Sequence, residues 1–316
     1  MKLPFHADAL LDFLRPRCVP GVEAVDGDVY RRAVGGEVRE VALRADGIGG
    51  DPQLAALVAD LEADPAAVDA ALGAGVTLID TADAYALGAE DFGHGEALVA
   101  RALKAYGDAA DDVLVATKGG HTRPGGAWEL DGRPEYLHRA ARATLERLGT
   151  DAIGLYQFHR PDPEVPYEES LGALRELVDE GLVRMAGISN ANEAQIQQAI
   201  DIVGDEFVAV QNEFSPRFRS SEGELRFCEQ HGLAFLPWSP LGGISSASDL
   251  GDRHAAFAEV AEAHGANPQQ VCLAWMLAKA PNVIPIPGSS RPETIRSSAA
   301  ATHVHLTAEQ LAQLDA

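Results

Sequence analysis

The sequence predicts a protein of the α/β class, built as a (β/α)8 TIM barrel that follows a small α+β N-terminal region. From Val76 onward, short apolar runs alternate with longer amphipathic stretches, the pattern of parallel strands covered by helices. The chain has 316 residues, enough for one barrel of about 250 residues and an additional piece. A doubly wound open sheet is the alternative, but no GxGxxG sequence follows a first strand.

Seven apolar runs are predicted as barrel strands, which leaves one strand of the eight unaccounted for. The runs cover 76–80, 113–118, 153–159, 184–189, 208–211, 234–238 and 283–286. Between them, the helical pattern is clearest over 134–148, 167–181, 192–202 and 220–231.

The residues before the barrel follow a different pattern. A short helix is predicted over 7–14, and two strands over 29–34 and 38–43 form a hairpin around Gly35-Gly36. The hairpin is a candidate for the missing barrel strand or for a plug at the barrel bottom.

The stretch 52–72 is helical in pattern and is interrupted at Pro65, which is expected to open a second helix capped by Asp64. We place the domain division near Gly73. Residues 1–73 then form the small N-terminal region, either packed on the barrel or separate, and residues 74–316 form the barrel.

Composition and charge exclude several classes of protein. Apolar residues make up 46% and charged residues 23%, which is typical of globular proteins and excludes disordered and fibrous chains. A net charge of −23 disfavours a general nucleic-acid or anionic-membrane binder, although a local basic pocket for a small anion stays open.

Cysteine spacing and the N-terminal residues give further expectations. Three isolated cysteines, Cys18, Cys228 and Cys272, have no spacing that predicts a disulfide scaffold or a zinc site, so no metal is expected. The chain opens with no apolar run long enough for a signal peptide or a membrane span. A cytoplasmic protein without membrane contact is expected, and its oligomeric state is left open.

Polar residues follow three consecutive predicted strands, at Asp80, Lys118 and His159, and Tyr85 lies five residues after Asp80. Because the carboxyl ends of barrel strands form the functional face, these four side chains are expected to meet. Each has an ordinary alternative, such as a helix cap for Asp80 or a packed core side chain for His159. Their joint placement favours a site.

Such a group suits proton transfer coupled to carbonyl reduction. An ammonium beside a phenol favours the phenolate, and a carboxylate keeps the ammonium charged and in place. A neutral histidine can orient a carbonyl oxygen by donating a hydrogen bond. The hydride donor has to be a cofactor, because no side chain supplies one.

Several motifs, in one order along the chain, resemble the aldo-keto reductase superfamily. The match covers about residues 74–316 and implies a barrel of that family's type. The motifs are GVTLIDTADAY (75–85), ATKGG (116–120), DAIGLYQFHRPD (151–162), GISN (187–190), VQN (210–212), PWSPLG (237–242) and IPGSSRPE (286–293).

The resemblance implies an NADP-dependent aldo/keto reductase, with NADPH/NADP as the cofactor and a small carbonyl or alcohol as the substrate. The implied catalytic tetrad is Asp80, Tyr85, Lys118 and His159, with Tyr85 as the proton donor. The implied contacts to the nicotinamide are Ser189, Asn190 and Gln211 at its carboxamide and Trp238 on its ring.

The same resemblance implies where the phosphates are held. The pyrophosphate would lie against Ser239, Pro240, Leu241 and Gly242. The 2′-phosphate side would lie against Gly288, Ser289 and Arg291, where the guanidinium is suited to bidentate binding. Trp238 has the alternative interpretation of an ordinary buried aromatic, and Arg291 that of a solvated surface charge.

Two features depart from the family. Ser297-Ser298 stands where the family has Glu-Asn, a position that contacts the adenine. A glycine-rich first strand is also missing, the weak stretch 41–50 being its only candidate. Residues 1–73 instead resemble the N-terminal domain of 3-methyladenine DNA glycosylases of the alkylated-base type, through LPFHADALLDFL (3–14), VPGVEAV (19–25), YRR (30–32) and LEADPAAVDAALG (61–73).

Two alternatives to a reductase stay open. The first is a nucleotide-binding or interaction protein with weak catalysis. The second is a DNA-repair accessory protein, disfavoured because residues 1–73 carry seven Lys/Arg against thirteen Asp/Glu. The substrate is not identified by the sequence, although the loop 119–133, with His121 and Trp128, is a candidate contributor to its pocket.

Overall fold

The computed structural model describes residues 23–26, 29–34, 37–44, 47–50, 56–58, 65–86, 91–243, 247–289 and 291–316. Its first four strands form an antiparallel sheet in the order β1-β2-β3-β4. These strands are β1 (Glu23–Asp26), β2 (Val29–Val34), β3 (Glu37–Arg44) and β4 (Gly47–Gly50). The predicted hairpin is confirmed, since Val34 pairs with Glu37 in an antiparallel register. The predicted helix over 7–14, the Gly35-Gly36 turn, Cys18 and the Asp64 cap lie outside the described residues.

A second sheet has seven parallel strands, and helices alternate with these strands along the chain. Its spatial order is the chain order, as expected for repeated β-α units. The strands are β5 (Ala56–Val58), β6 (Leu78–Asp80), β7 (Leu114–Gly119), β10 (Ile153–Phe158), β11 (Val183–Ser189), β12 (Phe207–Gln211) and β13 (Ala234–Phe235). A small hairpin, β8 (His121–Thr122) and β9 (Glu129–Leu130), follows β7.

An eighth segment lies at the edge of this sheet, where Val283 forms a parallel bridge with Phe235. The Ile284 amide donates to the Phe235 carbonyl at 2.9 Å, and the Ile286 amide donates to the Pro237 carbonyl at 3.2 Å. Together with seven curled parallel strands, this is the α/β, (β/α)8 arrangement that the sequence predicts.

The first barrel strand is Ala56–Val58, where the sequence predicts helix. Its residues pair in parallel with Leu78–Asp80, with Val58 opposite Asp80. The helical expectation for 52–72 is therefore wrong at 56–58, while the helix predicted to open at Pro65 is confirmed as Pro65–Gly73. The hairpin does not supply the missing strand, since its strands belong to the antiparallel sheet.

The helices cover the outer face of the parallel sheet. Those predicted at 134–148, 167–181, 192–202 and 220–231 are confirmed with small shifts at their ends. The helices are α1 (Pro65–Gly73), α2 (His94–Tyr106), α3 (Pro134–Leu148), α4 (Tyr167–Asp179), α5 (Glu193–Val203), α6 (Glu222–His231), α7 (Leu250–Arg253), α8 (Ala255–His264), α9 (Pro268–Leu277), α10 (Pro292–Ala299) and α11 (Ala308–Asp315).

Apolar side chains fill the inside of the barrel, because alternate strand residues point inward. One buried cluster joins inward residues of successive strands: Leu78, Ala116, Leu155, Ala209, Leu236 and Ile286. A larger cluster packs the other faces of the strands against the helices. The interior is thus a packed core, so polar chemistry is confined to one end of the strands.

The described residues lack two further features. None of their helices is both long and apolar enough to cross a bilayer. They contain no group of three or more His, Cys, Asp or Glu side chains placed to hold a metal ion. Cys228 and Cys272 are buried free thiols.

Candidate active site

A buried ion pair lies where two neighbouring strands end. The Lys118 ammonium on β7 contacts the Asp80 carboxylate on β6, and both side chains are fully buried. Burial, the largest single influence, would by itself lower the pKa of Lys118, but the Asp80 carboxylate and the Tyr85 hydroxyl together outweigh it and the pKa is raised. Lys118 therefore stays charged at every physiological pH.

Asp80 is also fixed from the opposite side of its carboxylate. Its Oδ2 accepts hydrogen bonds from Gln157 Nε2 at 3.1 Å and from Gln211 Nε2 at 2.8 Å. These amides come from strands β10 and β12, so the Asp80 carboxylate points into the interior of the barrel, where residues of other strands reach it. A buried carboxylate is tolerated only with such partners.

Tyr85 lies in the loop after β6, above the ion pair. Its hydroxyl oxygen is 3.2 Å from Lys118 Nζ, and the ammonium is 4.8 Å from the centre of the phenol ring. Lys118 also donates to the Thr81 carbonyl at 2.9 Å, which ties the start of this loop to the same ammonium.

His159 completes the group predicted from the sequence. Its ring is perpendicular to that of Tyr85, with centroids 5.8 Å apart, and its amide donates to the Gly119 carbonyl at 2.9 Å. Burial, followed by the charge of Lys118, holds the pKa of His159 well below its ordinary value near 6.5. His159 is thus neutral at physiological pH.

A buried carboxylate beneath the Tyr85 loop joins three elements. Glu96 on α2 accepts from Thr117 Oγ1 at 2.6 Å, from Thr144 Oγ1 at 2.8 Å and from Arg147 Nε at 2.6 Å. Thr117 immediately precedes Lys118, so this network fixes the end of β7. The glycine after Lys118 is equally constrained, because a Cβ on Gly119 would overlap the Tyr156 hydroxyl.

A cavity of about 520 Å³ opens above these residues. One wall of the cavity is formed by aromatic rings. The His121 ring is perpendicular to that of His159, with centroids 4.4 Å apart, and to that of Trp128, with centroids 5.3 Å apart. Two residues of the loop 119–133, His121 and Trp128, line this cavity, while a contact between this loop and a substrate stays a prediction. The lining residues are Tyr85, His121, Trp128, His159, Arg160, Ser189, Asn190, Gln211, Trp238, Ser239, Pro240, Leu241, Gly243, Ala247, Ile286, Pro287 and Gly288.

Most of the predicted cofactor residues line this cavity. Ser189 Oγ donates to the Gln211 carbonyl at 2.8 Å, and Asn190 Nδ2 donates to Ser189 Oγ at 2.9 Å. Asn190 and Ser239 have positive φ values of 60° and 49°, the only two such values among the described non-glycine residues. Backbone strain of this kind clusters at functional sites.

Three of the predicted cofactor residues are not among the lining residues of the cavity, namely Gly242, Ser289 and Arg291. Arg291 precedes helix α10 and is exposed, with its Nε 3.7 Å from a carboxylate oxygen of the equally exposed Glu293. Ser289 Oγ accepts from the Arg291 amide at 3.1 Å. These residues lie on the loop after Gly288, which does reach the cavity.

Ser297, one of the two residues that differ from the family pattern, is hydrogen-bonded to a neighbouring helix. Its Oγ accepts from Asn267 Nδ2 at 2.9 Å, and its carbonyl accepts from Gln270 Nε2 at 3.0 Å. Asn267 and Gln270 also form the capping box of α9. This serine therefore joins α9 to α10.

Sequence reasoning missed two polar residues of the site. Gln157 lies on β10, two positions before His159, which directly follows that strand, so a period of two would have found it. Arg160 directly follows His159 and lines the cavity. Its position at a strand end is the same signal that identifies its neighbour.

Comparison with known proteins gives two family matches. The model of the aldo/keto reductase family matches residues 58–316, and that of the AlkA N-terminal domain matches residues 1–59. Both resemblances inferred from the motifs are thus confirmed. The domain division near Gly73 and a role in DNA repair stay predictions.

Individual relatives agree with the larger match. A 6-dehydroglucose reductase of Novosphingobium aromaticivorans is 36% identical over 75% of this chain and 79% of its own length. A pyridoxine 4-dehydrogenase of Escherichia coli is 33% identical over 78% and 83%, respectively. A crystal structure of an aldo/keto reductase from Klebsiella pneumoniae with NADP and acetate has a TM-score of 0.68 at 28% identity, over 83% of this chain and 90% of that one.

Proposed function

We propose that this chain, which belongs to the aldo/keto reductase family, reduces a small aldehyde or ketone to the alcohol with Tyr85 as the proton donor. It is an NADP-dependent oxidoreductase, in keeping with its named relatives and with solved family members that hold NADP or NADPH. The observation that carries the proposal is the position of Lys118 Nζ, against Asp80 and 3.2 Å from the Tyr85 hydroxyl, below the cavity.

The residues present fit the cofactor. Trp238 offers an aromatic face in the cavity, and its buried Nε1 has no protein partner among the described residues. No described protein group donates to the side-chain oxygen of Asn190 or Gln211, so both oxygens can accept from a carboxamide. The positive φ of Ser239 turns the chain around the space where the phosphates would lie.

We assign the cofactor contacts accordingly. Ser189, Asn190 and Gln211 would hold the nicotinamide carboxamide, and Trp238 would stack on the ring. The turn Ser239, Pro240, Leu241 and Gly242 would hold the pyrophosphate, and Gly288, Ser289 and Arg291 the 2′-phosphate. When bound, the reduced cofactor supplies two electrons and a hydrogen to the carbonyl carbon.

The chain's own residues supply the proton and the orientation. His159 is neutral, so its ring can donate a hydrogen bond to the carbonyl oxygen without adding a charge. Tyr85 transfers its hydroxyl proton to that oxygen, which completes the alcohol. The phenolate left behind is stabilised by Lys118 at 3.2 Å, and water returns the proton afterwards.

Substitution of Tyr85 tests the assignment. The Tyr85→Phe variant is expected to lose about 100-fold or more in aldehyde-dependent NADPH oxidation, the range for a missing general acid. Its NADPH affinity should stay nearly unchanged, as measured by quenching of tryptophan fluorescence. Tyr106→Phe, an exposed tyrosine on α2, is the matched control.

The outcomes separate the competing functions. Retained turnover in Tyr85→Phe would remove this residue from the mechanism. NADPH binding by the wild type without turnover over a broad carbonyl panel would instead favour a nucleotide-binding protein with weak catalysis.

A further inference from the structure

The cavity contains one arginine that the proposed mechanism does not use. Arg160 lines the cavity, is solvent-exposed, and directly follows His159, so the two Cα atoms are about 3.8 Å apart. We propose that Arg160 binds an anionic group of the substrate, so that the preferred substrates are small aldehydes or ketones bearing a carboxylate or a phosphate. This inference rests on the proposed reductase function.

The first support is that Arg160 has no carboxylate partner within the described part of the chain. The nearest acid in sequence, Asp162, is buried and already accepts from the amides of Gly132 and Glu164 at 2.8 and 2.9 Å. The chain carries 48 acidic residues against 25 basic ones. An arginine with no carboxylate partner among the described residues of such a chain can bind an anionic ligand.

The second support is the charge of the cavity lining. Among the lining residues that the structure describes, Arg160 is the single permanent charge, and none is Asp or Glu. His121 and His159 add none, because burial holds the pKa of each below its ordinary value. A bound anion would therefore meet one cation and no opposing carboxylate.

The third support is the contrast with a neighbouring arginine. Arg123 is buried, and its guanidinium lies 4.1 Å from the centre of the Trp128 ring. Its donors are committed to the carbonyls of Ala84, Ala86 and Gly126. Arg123 thus holds the aromatic wall in place and is not available for an anion, whereas Arg160 is.

The arrangement implies how such a substrate lies. Its carbonyl would face Tyr85 and His159, its apolar or aromatic body would pack on the wall formed by His121 and Trp128, and its anion would point toward Arg160. The anionic group does not change the stoichiometry of the reaction. One carbonyl, one NADPH and one proton give one alcohol and one NADP, and the anionic group is unchanged.

Two aldehydes of matched shape test the proposal, namely 4-formylbenzoate and its uncharged methyl ester. The wild type should show a kcat/KM for the acid at least 10-fold above that for the ester, measured by NADPH oxidation. Arg160→Met should lower this ratio by about 10- to 100-fold, the range for a hydrogen-bonded charge, mainly through KM for the acid. Arg160→Lys should restore part of the ratio.

Controls exclude effects of net charge, folding and the cofactor. Arg142→Met, on the outer helix α3, changes the net charge equally and should leave the ratio as in the wild type. The NADPH dissociation constant of Arg160→Met, measured by fluorescence, reports on both folding and cofactor contact. A weakened NADPH affinity with an unchanged ratio would assign Arg160 to the cofactor and overturn the proposal.

The remaining outcomes are also decisive. A wild type that reduces the ester as well as the acid would overturn the role of Arg160 and leave the reductase function standing. A wild type that binds NADPH and reduces neither aldehyde, nor any member of a broad carbonyl panel, would overturn both. A ratio that survives in Arg160→Met and in Arg160→Gln would place the selectivity elsewhere.

Discussion

At the floor of the cavity the side chains bond mainly to one another, whereas at its rim they face open space or solvent. The floor consists of Asp80, Tyr85, Lys118, His159 and the two glutamines that donate to Asp80. The rim consists of the described residues of two loops that border the cavity, 238–242 and 288–289 with Arg291, and the Arg291 side chain pairs with the exposed Glu293. The floor is therefore preorganised by the fold itself, and the rim is left to be completed by a ligand.

The comparison separates the interactions that stabilise the fold from those that contribute to ligand affinity. Buried charges at the floor are stable only as a set, so losing one member should harm folding and chemistry together. Exposed groups at the rim contribute little to folding, so changes there should appear mainly in ligand affinity.

The largest expected effect is that of Lys118→Met. It leaves the Asp80 carboxylate buried without its cation, which should lower the free energy of unfolding by about 3–5 kcal/mol. It should also reduce kcat/KM by about 100-fold or more. Urea unfolding and NADPH oxidation measure the two effects.

The exposed Lys104→Met on α2 is the control for Lys118→Met. A Lys118→Met protein that is as stable as the wild type would contradict the expected destabilisation by an unpaired, buried Asp80 carboxylate.

The pH dependence of stability should report the two neutral histidines of the cavity, His159 at its floor and His121 in its wall. The pKa of His159 is lowered in the folded state, so below about pH 6.5 the unfolded chain binds a proton that the folded chain does not. Stability should thus be full above that pH and fall as the pH drops, by up to about 1.4 kcal/mol per pH unit for each such histidine.

Unfolding curves from pH 5 to 8 would measure this slope, and His159→Gln should reduce it. His303→Gln, an exposed histidine after α10, should leave the slope unchanged. A slope that is the same in wild type and His159→Gln would mean that His159 titrates normally.

At the rim, Trp238→Ala should weaken NADPH binding by about 10-fold through loss of the aromatic face. Its effect on stability should be smaller than that of Lys118→Met. Since Trp238 is one of three tryptophans, NADPH binding to this variant is best followed by calorimetry. An unchanged dissociation constant would remove Trp238 from the cofactor site.

The smallest expected effect is that of Arg291→Met. This exposed cation should contribute about 1 kcal/mol, so NADPH affinity should fall by about fivefold while NADH affinity stays the same. Arg296→Met, at an exposed position on helix α10, which follows Arg291, is the matched control. An equal loss for both cofactors would mean that Arg291 does not contact the 2′-phosphate.

Much of the fold and of the floor could be predicted from the sequence. The seven apolar runs give the barrel because burial on both faces requires continuous apolar strands. Asp80, Lys118 and His159 could be grouped because parallel strands end at one edge. The rim residues came from the resemblance alone, since a loop has no periodicity from which to place its side chains.

By itself, the sequence determined the barrel, its polar strand ends and the family to which the chain belongs. Only the tertiary structure decided that Ala56–Val58 is the first strand, because three residues are too few for a pattern and pairing with Leu78–Asp80 fixes them. Only the structure brought Gln157 and Gln211 onto Asp80, from 77 and 131 residues away. Such contacts arise when the barrel curls, because closure brings together side chains that no local spacing relates.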